Sequence, residues 1–223
     1  MIPAREALDR LREGNRRFVA GRSSPDTLDR RNRRAELTGG QEPFAIVLGC
    51  SDSRVPAEIV FDQGLGDLFV IRVAGNVVAS SQVGSVEFAA ARFHTRLVVV
   101  LGHSGCGAVD ATLEELRRPT ASQSRHLRSI VDRIRPAVES LLADGLGLDP
   151  VSLERLAVRA NVRASAHQLR HGSELLERLI EEQGLVVVGA EYSLETGVVE
   201  FFDGVPGGLP PPDPVSSAAP EGA

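Results

Sequence analysis

Four stretches of the chain are apolar at nearly every position: FAIVLGC (44–50), LFVIRVAG (68–75), LVVVLGH (97–103) and LVVVGAEY (185–192). A strand with one wet face alternates apolar and polar residues. A strand apolar throughout needs cover on both faces, which is the condition of a parallel sheet inside an α/β protein. Between these runs the apolar residues fall at helical spacing, over about 80–94, 122–143 and 151–183. Strand and helix therefore alternate, and the pattern predicts a doubly wound α/β domain with a mostly parallel central sheet flanked by helices. A fifth run, GVVEFFD (197–203), follows LETG too closely for a crossover helix, so it predicts a hairpin and an antiparallel edge strand.

Ahead of the first strand, residues 3–20 place Ala7, Leu8, Leu11, Phe18 and Val19 on a rough helical period that Gly21 ends, and a second helical stretch follows near 29–38. The stripe needs a surface to pack on, and the sequence offers no evident one within the chain's own sheet. At the other end, VPGGLPPPDPVSSAAPEGA (205–223) has little to bury and predicts a disordered tail. One domain over residues 1–204 accounts for the rest, a length that permits a substantial core.

Composition narrows the chemistry. With 42% hydrophobic and 25% charged residues the chain is an ordinary globular protein, and no apolar run approaches the roughly 20 residues of a membrane-spanning helix. The charged N-terminus has no signal-like apolar segment, which leaves the cytoplasm as the default location. A net charge of −5 gives no reason to expect nucleic acid. The basic run Arg30–Arg34 is balanced by Asp26, Asp29 and Glu36 and predicts a solvated helix face. Every basic residue is Arg; the absence of Lys removes Schiff-base and Walker-type chemistry.

The two cysteines, Cys50 and Cys106, are more consistent with metal ligation or a reactive pair than with a disulfide in a reducing compartment. Each follows a predicted strand. CSDSRVP delivers Cys50, Asp52 and Arg54 behind the first run, and GHSGCGAV delivers His103 and Cys106 behind the third. Open parallel sheets bind ligands beyond the carboxyl ends of their strands, so these two ends are expected to meet. One His and two Cys match the donor set of a catalytic zinc site with an open fourth position. Gly102, Gly105 and Gly107 are expected to let the second loop turn sharply. His167 and His171 share a helix face, but Gln168 stands where H-E-x-x-H has its Glu, so they predict no second metal site. A structural zinc closed by Asp52, or a Cys106 nucleophile with His103 as base, are the competing readings.

The motifs CSDSRVPAE and HSGCGAV, with FDQGLGDLFVIRVAGN between them, resemble the β-class carbonic anhydrases, and the similarity runs over roughly residues 4–203. The resemblance implies Cys50, His103 and Cys106 as zinc ligands. It makes Asp52 and Arg54 a catalytic pair aligning hydroxide on zinc for the reversible hydration of CO2 to bicarbonate and a proton. It also implies a substrate pocket involving Gln41, Phe69, Ala74, Phe88 and Gly107, with Gln41 reaching a neighbouring subunit, and a homodimer or dimer of dimers clasped by a helical arm over residues 1–40. Relatives of the family hydrolyse carbonyl sulfide or carbon disulfide at the same kind of site, which is the alternative activity. One branch of the family binds inhibitory bicarbonate beside a Trp three residues before the first Cys; here that position is Val47, and the chain has no Trp.

Overall fold

A computed structural model describes residues 2–22, 30–119, 124–143 and 149–207. Most of the predicted tail, residues 208–223, lies outside the described residues. The sheet has five strands among them: β1 (Ala45–Gly49), β2 (Leu68–Arg72), β3 (Leu97–His103), β4 (Val186–Tyr192) and β5 (Val199–Asp203). Their order is β2-β1-β3-β4-β5. The first four are mutually parallel, and β5 runs antiparallel to β4 as a hairpin edge. The mixed α/β architecture is thus the one the apolar runs predict.

Strand periodicity sorts the core into two faces. Ala45, Val47, Leu97, Val99, Leu101, Val188 and Ala190 point to one side, where α1 (Ala4–Val19) packs with Ala7, Leu8 and Leu11. Ile46, Leu48, Val98, Val100 and Val187 point to the other. There they meet α4 (Ser80–Arg92), α7 (Pro150–His171) and α8 (Glu174–Gln183). The remaining helices are α2 (Arg30–Glu36), α3 (Ala57–Val60), α5 (Gly107–Arg117) and α6 (Arg125–Ala143). None of the helices described is long and apolar enough to cross a membrane.

Three features differ from the sequence reading. The stretch 151–183 is two helices: α7 ends at His171, and Ser173 caps α8 by accepting from the Leu176 N–H at 3.2 Å. Helix α5, which the Gly-rich loop hides, begins directly after Cys106. The stripe of α1 finds its partner inside the chain: Ala7 and Leu11 are fully buried and Leu8 nearly so. Asn15 fixes the helix there, its Nδ2 donating to the Val60 and Gly197 carbonyls at 3.1 and 2.9 Å and its Oδ1 accepting from the Val199 N–H at 2.8 Å. The first three residues of the stripe are thus covered within the chain, while Val19 at its far end is 45% exposed.

Candidate metal centre

The chain leaves β1 for β2 on one side and returns to β3 on the other, so a crevice opens between the carboxyl ends of β1 and β3. Gly49 is level with Leu101, which puts Cys50 beside the end of β3, where His103 and then Cys106 follow. The three glycines of this stretch do different work. Gly105 takes a left-handed φ of +63°, which makes the turn. Gly102 lies within β3 instead, and a Cβ there would stand 2.5 Å from Val162 Cγ2 of α7, so it permits close packing of helix on strand. Gly107 is simply the first residue of α5.

Cys50, His103 and Cys106 are buried, and their ligand atoms all lie within 4.8 Å of one another, so they could hold a metal ion. His103 Nδ1 lies 2.9 Å from the Ser104 carbonyl, a contact that needs the proton on Nδ1 and leaves Nε2 with its lone pair free. Nε2 is a buried side-chain nitrogen with no hydrogen-bond partner. Cys106 donates to Cys50, which lowers the Cys50 thiol well below its usual range; the same contact, together with burial, raises Cys106. Burial works against the imidazolium, yet Cys50, the Ser104 carbonyl and Asp52 outweigh it and raise His103. Two buried cysteines beside an unsatisfied imidazole nitrogen form a donor set that a dication completes better than protons do.

Asp52 and Arg54 stand at the mouth. Arg54 Nε donates to Asp52 Oδ1 at 2.9 Å and Nη2 to Oδ2 at 2.7 Å, and the Arg54 backbone N–H also reaches Oδ1 at 3.0 Å. The guanidinium contact is the main reason the Asp52 carboxyl is held far below the usual carboxylate range. Sequence reasoning missed the groups that hold the Cys50–Asp52 loop. Arg72, at the end of β2, donates to the Cys50 and Asp52 carbonyls at 3.0 and 2.6 Å. The Gly75 N–H points at Cys50 Sγ from 3.3 Å, and its carbonyl accepts from Asn161 Nδ2 of α7 at 2.8 Å. A cation ending an apolar strand, and an Asn inside the apolar stripe of α7, were the available signals.

The other expected pocket residues divide. Ala74 and Gly107 adjoin the cluster, next to Gly75 and Cys106 respectively. Gln41 is exposed at the opposite end of β1 from Cys50. Phe69 pairs with Ile46, three residues before Arg72, so it sits about 10 Å back along β2 at about 3.3 Å per residue. It packs with Phe88 and Phe93 at centroid distances of 6.2 and 6.1 Å. Phe88 is 53% exposed. A single chain therefore does not gather Gln41, Phe69 and Phe88 around its own cluster.

The carbonic anhydrase family model matches residues 45–199, the span from β1 to β5 that holds this cluster. The chain belongs to the β-class carbonic anhydrases. It is 41% identical over 187 residues to carbonic anhydrase 2 of Mycobacterium tuberculosis, covering 84% of this chain and 87% of that one. It is 43% identical over 191 residues to the carbonic anhydrase of Mycolicibacterium smegmatis, covering 86% and 89%. Among solved structures, the β-carbonic anhydrase CcaA superimposes with a TM-score of 0.71 at 27% identity, covering 93% of each chain. As a carbonic anhydrase, the protein is an enzyme whose substrate is a small molecule.

Proposed function

We propose that this carbonic anhydrase is a zinc enzyme hydrating CO2 reversibly to bicarbonate and a proton, with Cys50, His103 and Cys106 as metal ligands and Asp52 and Arg54 as the catalytic pair. The observation that carries the reading is the buried, unpartnered His103 Nε2 facing two free buried cysteines. Two thiolates and one imidazole suit zinc, and three protein ligands leave its fourth position open. When bound, zinc supplies a Lewis acid that brings the pKa of water from about 15.7 to about 7. Cys50 and Cys106 as thiolates cancel the charge of the dication and soften that effect. Asp52 makes up for it by accepting a hydrogen bond from the attacking water or hydroxide and turning its lone pair toward CO2. Arg54 keeps Asp52 in that role through a bidentate, charge-assisted contact.

The working unit we propose is a homodimer or dimer of dimers. Its support is the open β2 edge with exposed Phe88, together with the distance of Gln41 and Phe69 from the chain's own cluster. A second copy covering that edge would bring these three residues to a site.

Zinc analysis and stopped-flow CO2 hydration on the same purified sample test the reading. About one zinc per chain is expected, with most of it lost in Cys50→Ser, His103→Ala and Cys106→Ser. Full occupancy in all three variants would overturn the ligand assignment, and turnover of carbonyl sulfide in preference to CO2 would overturn the substrate.

A further inference from the structure

Helix α7 backs the centre along a single stripe. Glu154, Asn161 and Ser165 stand at i, i+7 and i+11, and all three bond to the loops that carry the site. Ser165 Oγ donates to the Asn76 carbonyl at 3.1 Å, and Asn161 holds the turn whose Gly75 N–H meets Cys50. Glu154 alone of the three brings a charge, and it brings it to the other loop. Its carboxylate accepts a hydrogen bond from the Gly105 N–H. The Gly105 carbonyl accepts from Arg54 Nη2 at 3.1 Å. Gly105 is thereby held on one side by Glu154 and on the other by the guanidinium that grips Asp52.

We propose that Glu154 is a positioning residue for the Asp52–Arg54 pair, acting through Gly105. The inference rests on the zinc and dyad reading above. A left-handed glycine has a soft backbone, and a Cβ at this position would meet only Leu194 Cδ1, at 3.5 Å. Packing therefore does little to fix the Gly105 carbonyl, and hydrogen bonds must. Ser104, one residue earlier, is tied to β4 and the turn after it through the Tyr192 carbonyl and the Leu194 N–H. Glu154 supplies the matching tie on the far side of the turn. A carboxylate makes it a charge-assisted one, stronger than a neutral acceptor would.

The consequence is geometric. Arg54 is 56% exposed, and its guanidinium has two anchors, Asp52 and the Gly105 carbonyl. If the turn relaxes, the second anchor shifts and the guanidinium holds Asp52 less firmly. Asp52 Oδ2 is already 3.9 Å from His103 Nε2, so a small rotation carries it from the guanidinium to the ligand cluster. Glu154 thus biases Asp52 toward Arg54 without touching either residue.

Glu154 is placed to do this by the helix it rides on. Asp149 caps α7 by accepting from the Val151 and Ser152 N–H groups, each at 3.0 Å, and Leu153, Ala157 and Val158 bury the adjoining face. The carboxylate therefore projects from a helix already fixed against the sheet.

The test uses zinc-loaded enzyme and, in parallel, its cobalt(II)-substituted form, whose visible spectrum reports entry of a carboxylate into the coordination sphere. Glu154→Ala should keep its metal and lose about 10-fold or more in kcat/KM, by the usual cost of losing a group that orients a metal site. Its cobalt spectrum should move in the same direction as that of Arg54→Ala. Glu154→Gln, which still offers an oxygen to the Gly105 N–H, should recover most of the activity. The double variant Arg54→Ala/Glu154→Ala should be no slower than Arg54→Ala alone, because one residue acts through the other. Multiplied losses in the double variant, or a Glu154→Ala enzyme with wild-type rate and spectrum, would overturn the role of Glu154 while leaving the dyad intact. A fully active Arg54→Ala enzyme would overturn the dyad and Glu154 with it. If Glu154→Ala fails to fold, Glu154→Gln and its spectrum decide: a wild-type spectrum with a large loss of rate contradicts the proposal.

Discussion

Asp52 lies between two claims, with Oδ2 3.9 Å from His103 Nε2 and 2.7 Å from Arg54 Nη2. The shorter contact is bidentate and charge-assisted, so Arg54 holds the carboxylate off the ligand cluster. Replacing Arg54 by Ala should release it. The expected outcome is full metal content with a loss of roughly 10- to 100-fold in kcat/KM, checked by metal analysis and stopped-flow hydration on one preparation. Unchanged hydration would remove Arg54 from the chemistry.

Asn161 supports the opposite side of the centre. It is 2% exposed, and its Nδ2 satisfies the buried Gly75 carbonyl. Asn161→Ala leaves that carbonyl unpaired, at a cost of about 1–3 kcal/mol in stability. Because the Gly75 N–H faces Cys50 Sγ, the same change should weaken metal binding about 10-fold or more. Urea unfolding and competition with a chelator measure the two effects; a variant as stable and as tightly metallated as the parent contradicts the account.

The N-terminal helix is part of the core. Leu8 and Leu11 are 1% and 0% exposed within the single chain, and Leu11→Ala should cost about 2–5 kcal/mol. Deleting residues 1–21 removes both, along with the three hydrogen bonds of Asn15. The expected product unfolds at much lower urea and exposes apolar surface to a hydrophobic dye. A truncated protein that unfolds at the parent's urea midpoint and is merely monomeric by light scattering would show that the helix serves the contact between subunits and not the core.

The strands were legible because burial on both faces leaves a run of apolar residues with no other explanation. The pair of loops was legible because Cys, His, Asp and Arg are costly beside such runs unless they are paired. The groups that hold the centre were hidden for a common reason. Arg72, Gly75, Glu154 and Asn161 act through backbone N–H and carbonyl groups or on them, and a backbone contact leaves no mark on the partner's residue type. The fate of the α1 stripe was hidden for another: amphipathic spacing shows that a face is buried but not by what. Gln41, Phe69 and Phe88 show the converse, since motif position groups them with the site while a single chain keeps them apart.

Val47 bears on regulation. In the family branch that inhibitory bicarbonate controls, this position is Trp; here it is a valine with no exposure, level with Val70 on β2 and Val99 on β3. Val47 presents hydrocarbon in place of an indole N–H, so this position offers an anion no hydrogen-bond donor. Inhibition in that branch moves the Asp onto zinc, and the pairing seen here opposes it. The Asp52 carboxyl is depressed chiefly by its bonds to Arg54. A depressed carboxyl stabilises the folded state at any pH above its unfolded value, near 3.9, and that contribution is lost only as pH falls through the lower folded value. From about pH 6 to 9 Asp52 therefore stays ionised and paired, and the rate should follow a shallow, single-proton curve set by another group. Activity against pH with and without added bicarbonate checks this. A steep, cooperative fall below about pH 8 that bicarbonate deepens would show that Asp52 leaves Arg54 within the working range and that this chain is of the regulated type.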